Sequence, residues 1–414
     1  MTAAAPSALR PGRLGHPVPD DAPLGGRRRR RVAVVGVALS DCGRVDELTP
    51  YQLHAQAARR ALADSGLPKD VIDGVASAGL GILAPVEVSE YLGLRPTWTD
   101  STSVGGSTWE VMAGHAADAI AAGHANAVLL VYGSTARADL KARRRTAGIA
   151  LGARGPLQFE APYGHTLIAK YAMAARRHMH EYGTTLEQLA GVAVQTRANA
   201  AANPDAMYRD PITVDDVLTG PMMADPFTKL HCCIRSDGGC AVLLAAEDYV
   251  PDTVHDPVWV LGSGEHLSHS AMSEWEDFTV SPTARSGRLA YERAGVTPDD
   301  IDLTELYDAF TYMPLVALED LGFCAKGDGG AFVDAKAGRL LLDGELPTNT
   351  DGGGLSACHP GMRGLFLIVE AVRQLRHEYA TSAPERQVPN APQLALVSGT
   401  GGWFCSSGTL ILGR

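Results

Sequence analysis

The chain has few cysteines, and none of them is spaced like a metal-binding pair. Its seven cysteines are spread over 414 residues, and no two of them form a Cys-x-x-Cys motif. His231 precedes two adjacent cysteines, but neighbouring thiols cannot easily hold one ion, so we expect both to be buried and no metal site. This usage predicts a reduced, cytoplasmic protein. The cysteines are Cys42, Cys232, Cys233, Cys240, Cys324, Cys358 and Cys405.

The sequence also lacks an excess of positive charge, an apolar run of membrane length and the apolar core of a secretory signal. Its 36 basic residues are outnumbered by 47 acidic residues, and the net charge of −11 argues against a nucleic-acid surface. No apolar run is long enough for a membrane span. Residues 1–30 are rich in Ala, Pro, Gly and Arg, with arginines at 27–31. We expect a disordered, solvated leader, and an arm for an anionic partner is the alternative.

Turn-forming residues and short apolar segments are abundant instead. The 45 glycines, 25 prolines and 45% hydrophobic content are typical of a glycine-rich α/β enzyme, and the length predicts two similar domains or one duplicated unit. Apolar strand patterns at 32–37 and 127–132 alternate with helical patterns at 50–63 and 109–122. This alternation predicts an α/β sandwich with mostly parallel sheets.

A stretch of different character separates two such regions. Between about residues 135 and 225 lie three arginines at 143–145, His165 and a long helical pattern, which we interpret as an insertion that forms a lid over one face. Strand patterns return at 240–244 and 258–261, and a closing hairpin follows at 394–397 and 409–412. We therefore predict one half at 31–255, which contains the lid, and a second half at 256–414.

The loop GGLSACHPG at 353–361 is the first candidate for chemistry. It places His359 between glycines and a proline, directly before a helical pattern formed by Leu365, Ile368, Val369, Val372 and Leu375. An imidazole close to the N-terminus of a helix lies near backbone N–H donors, which suits proton transfer and the stabilisation of an oxyanion. The structural alternative is a histidine whose ring is satisfied by the backbone of a turn.

Four further segments stand in a recognisable order with this loop. They are VGGSTW at 104–109, SDGG at 236–239, ELYDAF at 305–310 and GTGGWFCSSG at 399–408. Over about residues 30–414 the chain resembles the thiolase superfamily, and more specifically the sterol-carrier-protein-type thiolases and the lipid-transfer-protein aldolases of steroid side-chain degradation. The resemblance implies a thiolase fold, in which two pseudo-duplicated α/β halves form a five-layer αβαβα sandwich, and a homodimer.

The resemblance also assigns roles to individual residues. Gly106 stands where thiolases carry the cysteine that is acylated, and glycine cannot form a thioester. Ser107, the neighbouring hydroxyl, has no evident base. Tyr307 replaces the asparagine of the Asn-Glu-Ala-Phe motif, and a phenol can move a proton where a carboxamide cannot. A buried aromatic residue that caps the sheet is the structural alternative for Tyr307.

His359 matches the family's Gly-His-Pro histidine, with Cys358 in place of the glycine, whereas the steroid aldolases tend to carry a tyrosine in this loop. Cys405 lies near the family's C-terminal acid/base cysteine, either as a proton carrier or as a supporting thiol. The candidate catalytic residues are therefore Tyr307, His359 and Cys405. The candidate substrate-binding residues are Gly106, Ser107, Asp308, Cys358, Gly401 and Gly402.

These roles imply a retro-aldol cleavage of a β-hydroxyacyl-CoA with a bulky, steroid-like acyl group. The coenzyme A thioester is the substrate, and no covalently bound cofactor is expected. Arginines 143–145 and His165 in the lid could meet the CoA phosphates, although a solvated face is the commoner outcome. The resemblance further implies a small OB-fold partner with a zinc ribbon, to which any zinc would belong. A thiolase with an unusual nucleophile, Ser107 or Cys358, and a non-catalytic acyl-CoA or lipid carrier are the alternatives.

Overall fold

A mixed nine-stranded sheet is the centre of the fold. The computed structural model describes residues 29–142, 155–163 and 166–414. The strands are β1 Val32–Leu39, β2 Gly74–Ala76, β3 Trp98–Asp100, β4 Ala127–Ser134, β5 Met222–Ala224, β6 Phe227–Thr228, β7 Gly238–Ala246, β8 Val258–Leu267, β9 Leu303–Leu306, β10 Leu394–Gly401 and β11 Ser406–Gly413. The large sheet has the strand order β3-β2-β4-β7-β1-β8-β11-β10-β9, and β5 and β6 form a separate hairpin.

Helices cover both faces of this sheet and form the region between residues 135 and 225. Those in the described ranges are α1 Pro50–Ser65, α2 Ala84–Leu92, α3 Thr108–Ala122, α4 Ala136–Lys141, α5 Leu167–Tyr182, α6 Leu186–Ala201, α7 Val214–Leu218, α8 Thr283–Ala294, α9 Tyr312–Asp320, α10 Gly329–Phe332, α11 Gly364–Leu375 and α12 Tyr379–Ser382. The helical patterns predicted at 50–63 and 109–122, and the one that follows His359, are confirmed as α1, α3 and α11.

The pairing of the strands repeats within the sheet. The strands β2-β4-β7-β1 lie side by side in the same relative order as β9-β10-β11-β8, with one parallel pair followed by two antiparallel pairs in each set. The two sets meet where β1 pairs with β8 over two residue pairs. This repeated order is the duplication that the sequence predicted.

The prediction of mostly parallel sheets is wrong. Five of the eight pairings in the large sheet are antiparallel, and only β2–β3, β2–β4 and β9–β10 are parallel. In each set, the strand that comes last along the chain lies between two earlier strands. For example, β11 follows β10 after a short loop and lies between β10 and β8. Alternation of helices and strands along the chain does not specify such an insertion, because it says nothing about spatial order.

Two helices lie between the two sets of strands and complete a layered arrangement. Helices α3 and α11 contact strands of both sets, whereas α1 packs on β1, β4 and β7 and α8 packs on β8 and β11. The sequence of layers is therefore helix, strands, central helices, strands and helix, as predicted for a five-layer sandwich. One apolar core surrounds the central helices and includes Trp109, Met112, Leu306, Leu367 and Leu410.

The ends of the helices follow from local sequence. Thr49 forms a capping box with Gln52 at the start of α1, Pro50 occupies the first turn, and Gly66 ends the helix with φ of 76°. Gly123 ends α3 in the same left-handed conformation, as its position predicts. The turn at Gly106 and Ser107, directly before α3, contacts β10 and β11, and Gly106 also lies against the Tyr307 ring.

Parts of the leader and the lid lie outside the described residues. Of the arginines at 27–31, Arg30 donates to the carbonyls of Ile120 and Ala125, and Arg31 lies over the Trp259 ring at 3.6 Å, so this end of the predicted leader is attached to the core. Arginines 143–145 and His165 of the predicted lid lie outside the described residues. No helix in the described ranges combines the length and the apolar character needed to cross a membrane.

Candidate active site

Tyr307 lies at the end of β9 with its hydroxyl in contact with His359. The Tyr307 backbone N–H donates to the Ser398 carbonyl of the adjacent strand at 3.0 Å, which fixes the ring between the strand ends. The phenolic oxygen lies 3.1 Å from His359 Nε2 and accepts from the Arg363 backbone N–H at 3.2 Å. The distance to Nε2 is that of a hydrogen bond, in which the phenol donates when His359 carries its own proton on Nδ1.

The electrostatics of this pair favour its neutral form. Burial, assisted by the Arg363 guanidinium, lowers the pKa of His359 to about 4, so the ring is neutral and able to accept a proton. Burial also raises the pKa of Tyr307 well above its usual value. The phenol therefore acts most readily by passing one proton on while it receives another, since a free phenolate would be costly here.

A glycine-rich turn holds His359 in place. Residues Gly353–Ala357 form one π-helical turn, and Gly353 has φ of 63°, a conformation that favours glycine. The carboxylate of Asp308 accepts from the backbone N–H groups of Gly354 at 2.7 Å and Leu355 at 3.1 Å. The His359 N–H donates to Ser236 Oγ at 2.9 Å. Asp308 thus positions the loop, and its predicted role in substrate binding stays a prediction.

Arg363 is a buried charge that ties the loop to its surroundings. Its guanidinium donates to the Cys358 carbonyl at 2.8 Å and to Asp351 Oδ1 at 2.5 Å, and its Nε lies 3.7 Å from Asp308 Oδ1. Burial nevertheless raises the pKa of Asp308. Removing Arg363 would leave the carboxyl groups of Asp308 and Asp351 without their cation, so the guanidinium stabilises the shape of the site.

Gly106 leaves room for the Tyr307 ring. A Cβ atom at position 106 would lie 2.5 Å from both Cε2 and Cζ of Tyr307 and would overlap the Thr400 carbonyl oxygen as well. No side chain fits there while the tyrosine keeps its place. The structure thus excludes a nucleophilic thiol at this position on steric grounds, in addition to the chemical argument from the sequence.

Gly401 and Gly402, where β10 ends and the loop to β11 begins, lie against the turn at Gly105 and Gly106. A Cβ at Gly105 would lie 2.6 Å from the Gly402 nitrogen and 2.8 Å from Gly401 Cα, so the two backbones touch. Both Gly105 and Gly402 have positive φ, at 83° and 59°. The backbone around Gly106 and Gly402 therefore converges next to Tyr307, where a developing oxyanion could be held.

The other candidate nucleophiles are not assembled with this pair. Ser107 is fully buried, and its hydroxyl bonds to Ser406 Oγ at 2.8 Å rather than to a base. Cys358 Sγ lies 3.1 Å from Ser236 Oγ and interacts with the Cys42 thiol, which lowers its pKa. Among the described residues, no hydrogen bond joins either side chain to Tyr307 or His359.

Cys405 lies on the loop between β10 and β11. Its half-buried thiol faces Gly402, where an added Cβ would approach Sγ to 2.9 Å, and burial raises its pKa to about 11. In the part of the chain that the structure describes, no hydrogen bond connects it with Tyr307 or His359. Both predicted roles of Cys405, proton carrier and supporting thiol, stay predictions.

Cys232 and Cys233 are free and half-buried rather than fully buried as expected. Cys232 forms a single bridge with Phe310, and no longer strand forms there. A different group of possible metal ligands in the described ranges consists of Asp64, His255 and Glu378. Arg376 already lies 2.9 Å from Asp64 and 3.4 Å from Glu378, so a cation compensates both carboxylates.

Sequence reasoning missed three residues that shape the site. Ser236 holds the His359 amide, Arg363 holds the loop, and Glu110 is buried one helical turn after Gly106. Arg363 resembles an ordinary surface residue in the sequence, whereas Ser236 belongs to the SDGG motif, which assigned no role to its hydroxyl. Glu110 carried a usable signal, because a carboxyl group within the apolar face of a central helix needs an explanation.

Comparisons with known proteins agree with this geometry. Residues 264–414 match the family described as thiolase C-terminal domain-like. The chain is 33% identical to an acetyl-CoA acetyltransferase of Methanothermobacter thermautotrophicus over 386 residues, which are 90% of this chain and 97% of the relative. The chain belongs to the thiolase superfamily. Its resemblance to that superfamily, predicted from five ordered motifs, is confirmed.

Within the thiolase superfamily, carbon–carbon lyases are also close relatives. A steroid side-chain-cleaving aldolase of Thermomonospora curvata is 31% identical over 83% of this chain and 90% of its own length. The solved structure of the Ltp2-ChsH2(DUF35) aldolase superimposes with a TM-score of 0.82 at 29% identity and covers 94% of this chain and 99% of that chain. The predicted thiolase fold and the aldolase class of enzyme are thus confirmed.

Proposed function

We propose that this chain cleaves a carbon–carbon bond of a β-hydroxyacyl-CoA by a retro-aldol reaction and releases a ketone or aldehyde and a shorter acyl-CoA. One observation carries the proposal: the Tyr307 ring fills the space at Gly106, and its hydroxyl bonds to His359 Nε2. A site with glycine at the position of the thiolase nucleophile and with a phenol–imidazole pair is suited to moving protons rather than acyl groups.

The proposed steps start from the Nδ1–H tautomer of His359, in which Tyr307 donates to Nε2. Tyr307 takes the proton of the substrate hydroxyl while its own proton passes to His359 Nε2, so no free phenolate forms. The bond between the carbinol carbon and the α-carbon then breaks to give a carbonyl product and the enolate of the shorter thioester. The backbone near Gly106 and Gly402 holds the thioester oxygen. Protonated His359, whose low pKa makes it a strong acid, returns the proton to the α-carbon.

A bulky, steroid-like acyl group is the substrate class that we favour. The support comes from the relative in Thermomonospora curvata, named a steroid side-chain-cleaving aldolase, and from the Mycobacterium tuberculosis relative named 17-hydroxy-3-oxo-4-pregnene-20-carboxyl-CoA lyase, which is 31% identical over 84% of this chain. The coenzyme A thioester enters as the substrate, and the proposed steps use no further cofactor.

The test is incubation with a β-hydroxyacyl-CoA of this class in the absence of free CoA. The wild type should release the shorter acyl-CoA, and Tyr307→Phe should lower kcat by at least about 100-fold, the usual size of a general-base contribution. The matched control is Tyr182→Phe, which removes a hydroxyl from a half-exposed ring on α5 and should leave turnover unchanged.

Two other outcomes would contradict the proposal. Product that forms only with free CoA, together with an acyl adduct in the intact mass of the protein, would show a thiolase with an unusual nucleophile. The relative in Methanothermobacter thermautotrophicus is named an acetyl-CoA acetyltransferase, which is this class of activity. Binding of acyl-CoA without turnover, whatever residue stands at 307, would show a carrier.

We also propose a homodimer that works with a small OB-fold protein containing a zinc ribbon. The match to the two-component Ltp2-ChsH2(DUF35) aldolase supports a partner protein, and β3, at the edge of the large sheet, offers unpaired backbone for a second copy. Light scattering of the purified chain should give twice its mass of 43.6 kDa. Zinc should co-purify only when the partner is present.

A further inference from the structure

Glu110, in the first turn of the central helix α3, is a buried carboxyl group that the proposed reaction does not use. Its side chain is 1% exposed, and neither carboxyl oxygen has a hydrogen-bond partner among the described residues. No salt bridge in the described ranges involves it. An unpaired carboxylate in such surroundings is among the most costly groups that a protein interior can contain.

Three glycines from three other elements make room for this carboxyl group. A Cβ at Gly364, at the start of α11, would lie 2.5 Å from Glu110 Oε2, and one at Gly399 of β10 would overlap the same oxygen. A Cβ at Gly408 of β11 would lie 2.9 Å from Glu110 Cβ. A side chain at any of these positions would displace the glutamate, so the surrounding backbone is closely fitted to it.

The carboxyl group lies between the two backbone segments that fix Tyr307. The same added Cβ at Gly364 would lie 2.6 Å from the Gly106 carbonyl oxygen, so Glu110 Oε2 and that carbonyl border one small space. Gly106 packs against the Tyr307 ring, and Arg363, directly before Gly364, donates its backbone N–H to the Tyr307 hydroxyl. A displacement of Glu110 would therefore disturb Tyr307 through both Gly106 and Arg363.

We propose that Glu110 is a positioning residue that the folded protein keeps as the neutral carboxylic acid, and that its ionisation stops the proposed cleavage by disturbing the backbone that holds Tyr307. The neutral acid carries an O–H group that can donate to a neighbouring carbonyl, whereas the carboxylate would repel that carbonyl. A negative charge so close to Tyr307 would also oppose the formation of an enolate. Burial raises the pKa of Glu110 to about 8, which agrees with this assignment.

The charged and titratable groups around Glu110 decide how a pH profile can be assigned. From β9 and the His359 loop come Tyr307, with its raised pKa, and His359, with its pKa of about 4. From α11 comes Arg363, whose guanidinium bonds to Asp351, while β10 and β11 present Gly399 and Gly408. Two rival groups are Cys358, whose pKa is lowered by the Cys42 thiol, and Glu305 of β9, whose pKa is raised by burial.

The protonation state can be measured without any catalysis. The infrared difference spectrum between the wild type and Glu110→Gln at about pH 7 should contain the C=O band of one protonated carboxylic acid, and this band of the wild type should disappear as the pH rises through about 8. Absence of that band would overturn the proposal, whether or not the chain is an aldolase. If the variant does not fold, the wild-type band should persist in Glu305→Gln, Asp308→Asn and Asp320→Asn, because burial also raises the pKa of those three carboxyl groups.

The kinetic part rests on the proposed function and uses the pH profile of kcat/KM. In the wild type this value should fall about tenfold for each pH unit above the pKa of Glu110, and in Glu110→Gln it should stay level over the same range. The control Glu292→Gln, the same change at an exposed position of α8, should keep the wild-type fall. A fall that persists in Glu110→Gln, or one that disappears in Cys358→Ser instead, would contradict the proposal.

Discussion

At the scale of single residues, the glycine at position 106 and the tyrosine at position 307 depend on each other. The tyrosine ring and a side chain at 106 compete for the same volume, because an added Cβ would approach two ring carbons to 2.5 Å. A chain with a nucleophile at 106 must move the phenol elsewhere, and a chain with this phenol must carry glycine. Acyl transfer and proton relay are therefore mutually exclusive in this pocket.

Gly106→Ala should separate these two residues while the fold is kept. The added methyl group forces the Tyr307 ring away from His359, at a cost of about 1–3 kcal/mol from overpacking. Urea unfolding should show that loss, and turnover should fall at least about tenfold because the hydrogen bond to Nε2 is stretched.

The matched control for that change is Gly114→Ala, in the same helix. Its Cβ would meet the Ser263 side chain at 3.2 Å, and alanine favours the helix by roughly 0.5–1 kcal/mol, so stability should change little or rise. Wild-type turnover in Gly106→Ala would show that the packing of the ring does not control the reaction.

The sequence predicted Tyr307 and His359 as partners, and the structure places them in contact. That prediction rested on ordered motifs, since 52 residues separate the two along the chain. Cys405 was predicted on the same basis, but its thiol faces Gly402, because a motif gives the position of a residue along the chain and not the direction of its side chain. The role of Asp308 in holding the His359 loop depends on backbone N–H groups, which no sequence pattern displays.

At the scale of elements, the helices were easier to predict than the sheet. Helix α3 has a repeating apolar face, a stop at Gly123 and burial of Trp109, Met112 and Ile120, all of which are local properties. The position of β7 between β4 and β1 depends on contacts between strands that are far apart in sequence. Local patterns contain no record of such pairings, and this explains why the prediction of mostly parallel sheets failed.

Helix α5 holds the hairpin loop of the site through one hydroxyl. Tyr171 donates to the Gly402 carbonyl at 2.8 Å and accepts from the Phe404 N–H at 3.3 Å, so it bridges the loop between β10 and β11. Its ring packs on Phe310 and Phe404. The predicted lid region therefore contributes directly to the geometry of the loop that approaches Gly106.

Tyr171→Phe should loosen that loop and leave the core intact. Loss of two hydrogen bonds of about 1 kcal/mol each should lower kcat/KM by about 3- to 10-fold and should accelerate hydrogen exchange of the Phe404 amide. Tyr182→Phe on the same helix should change neither quantity. Unchanged exchange at Phe404 in Tyr171→Phe would show that the loop is held by its own hairpin.

At the scale of the whole molecule, the duplicated topology does not imply two independent domains. We place the boundary of the halves near residues 255 and 256, between β7 and β8, where the repeated strand order begins again. Yet α3 belongs to the first half and contacts β8, β10 and β11 of the second, while α11 belongs to the second and contacts β1 and β7 of the first. The central helix of each half therefore packs into the core of the other half.

A single cooperative unfolding transition follows from this exchange of helices. One apolar core includes Trp109 and Val242 of the first half with Leu306 and Leu410 of the second, so neither half can lose its structure without exposing the other. Urea titrations followed by tryptophan fluorescence and by far-ultraviolet circular dichroism should coincide. A fragment of residues 256–414 should show no cooperative transition of its own, because the faces of α11 and β8 that pack on the first half would lie exposed. Two separated transitions, or a fragment that melts cooperatively alone, would mean that the halves are domains in the thermodynamic sense and that the shared core adds little to the stability of either.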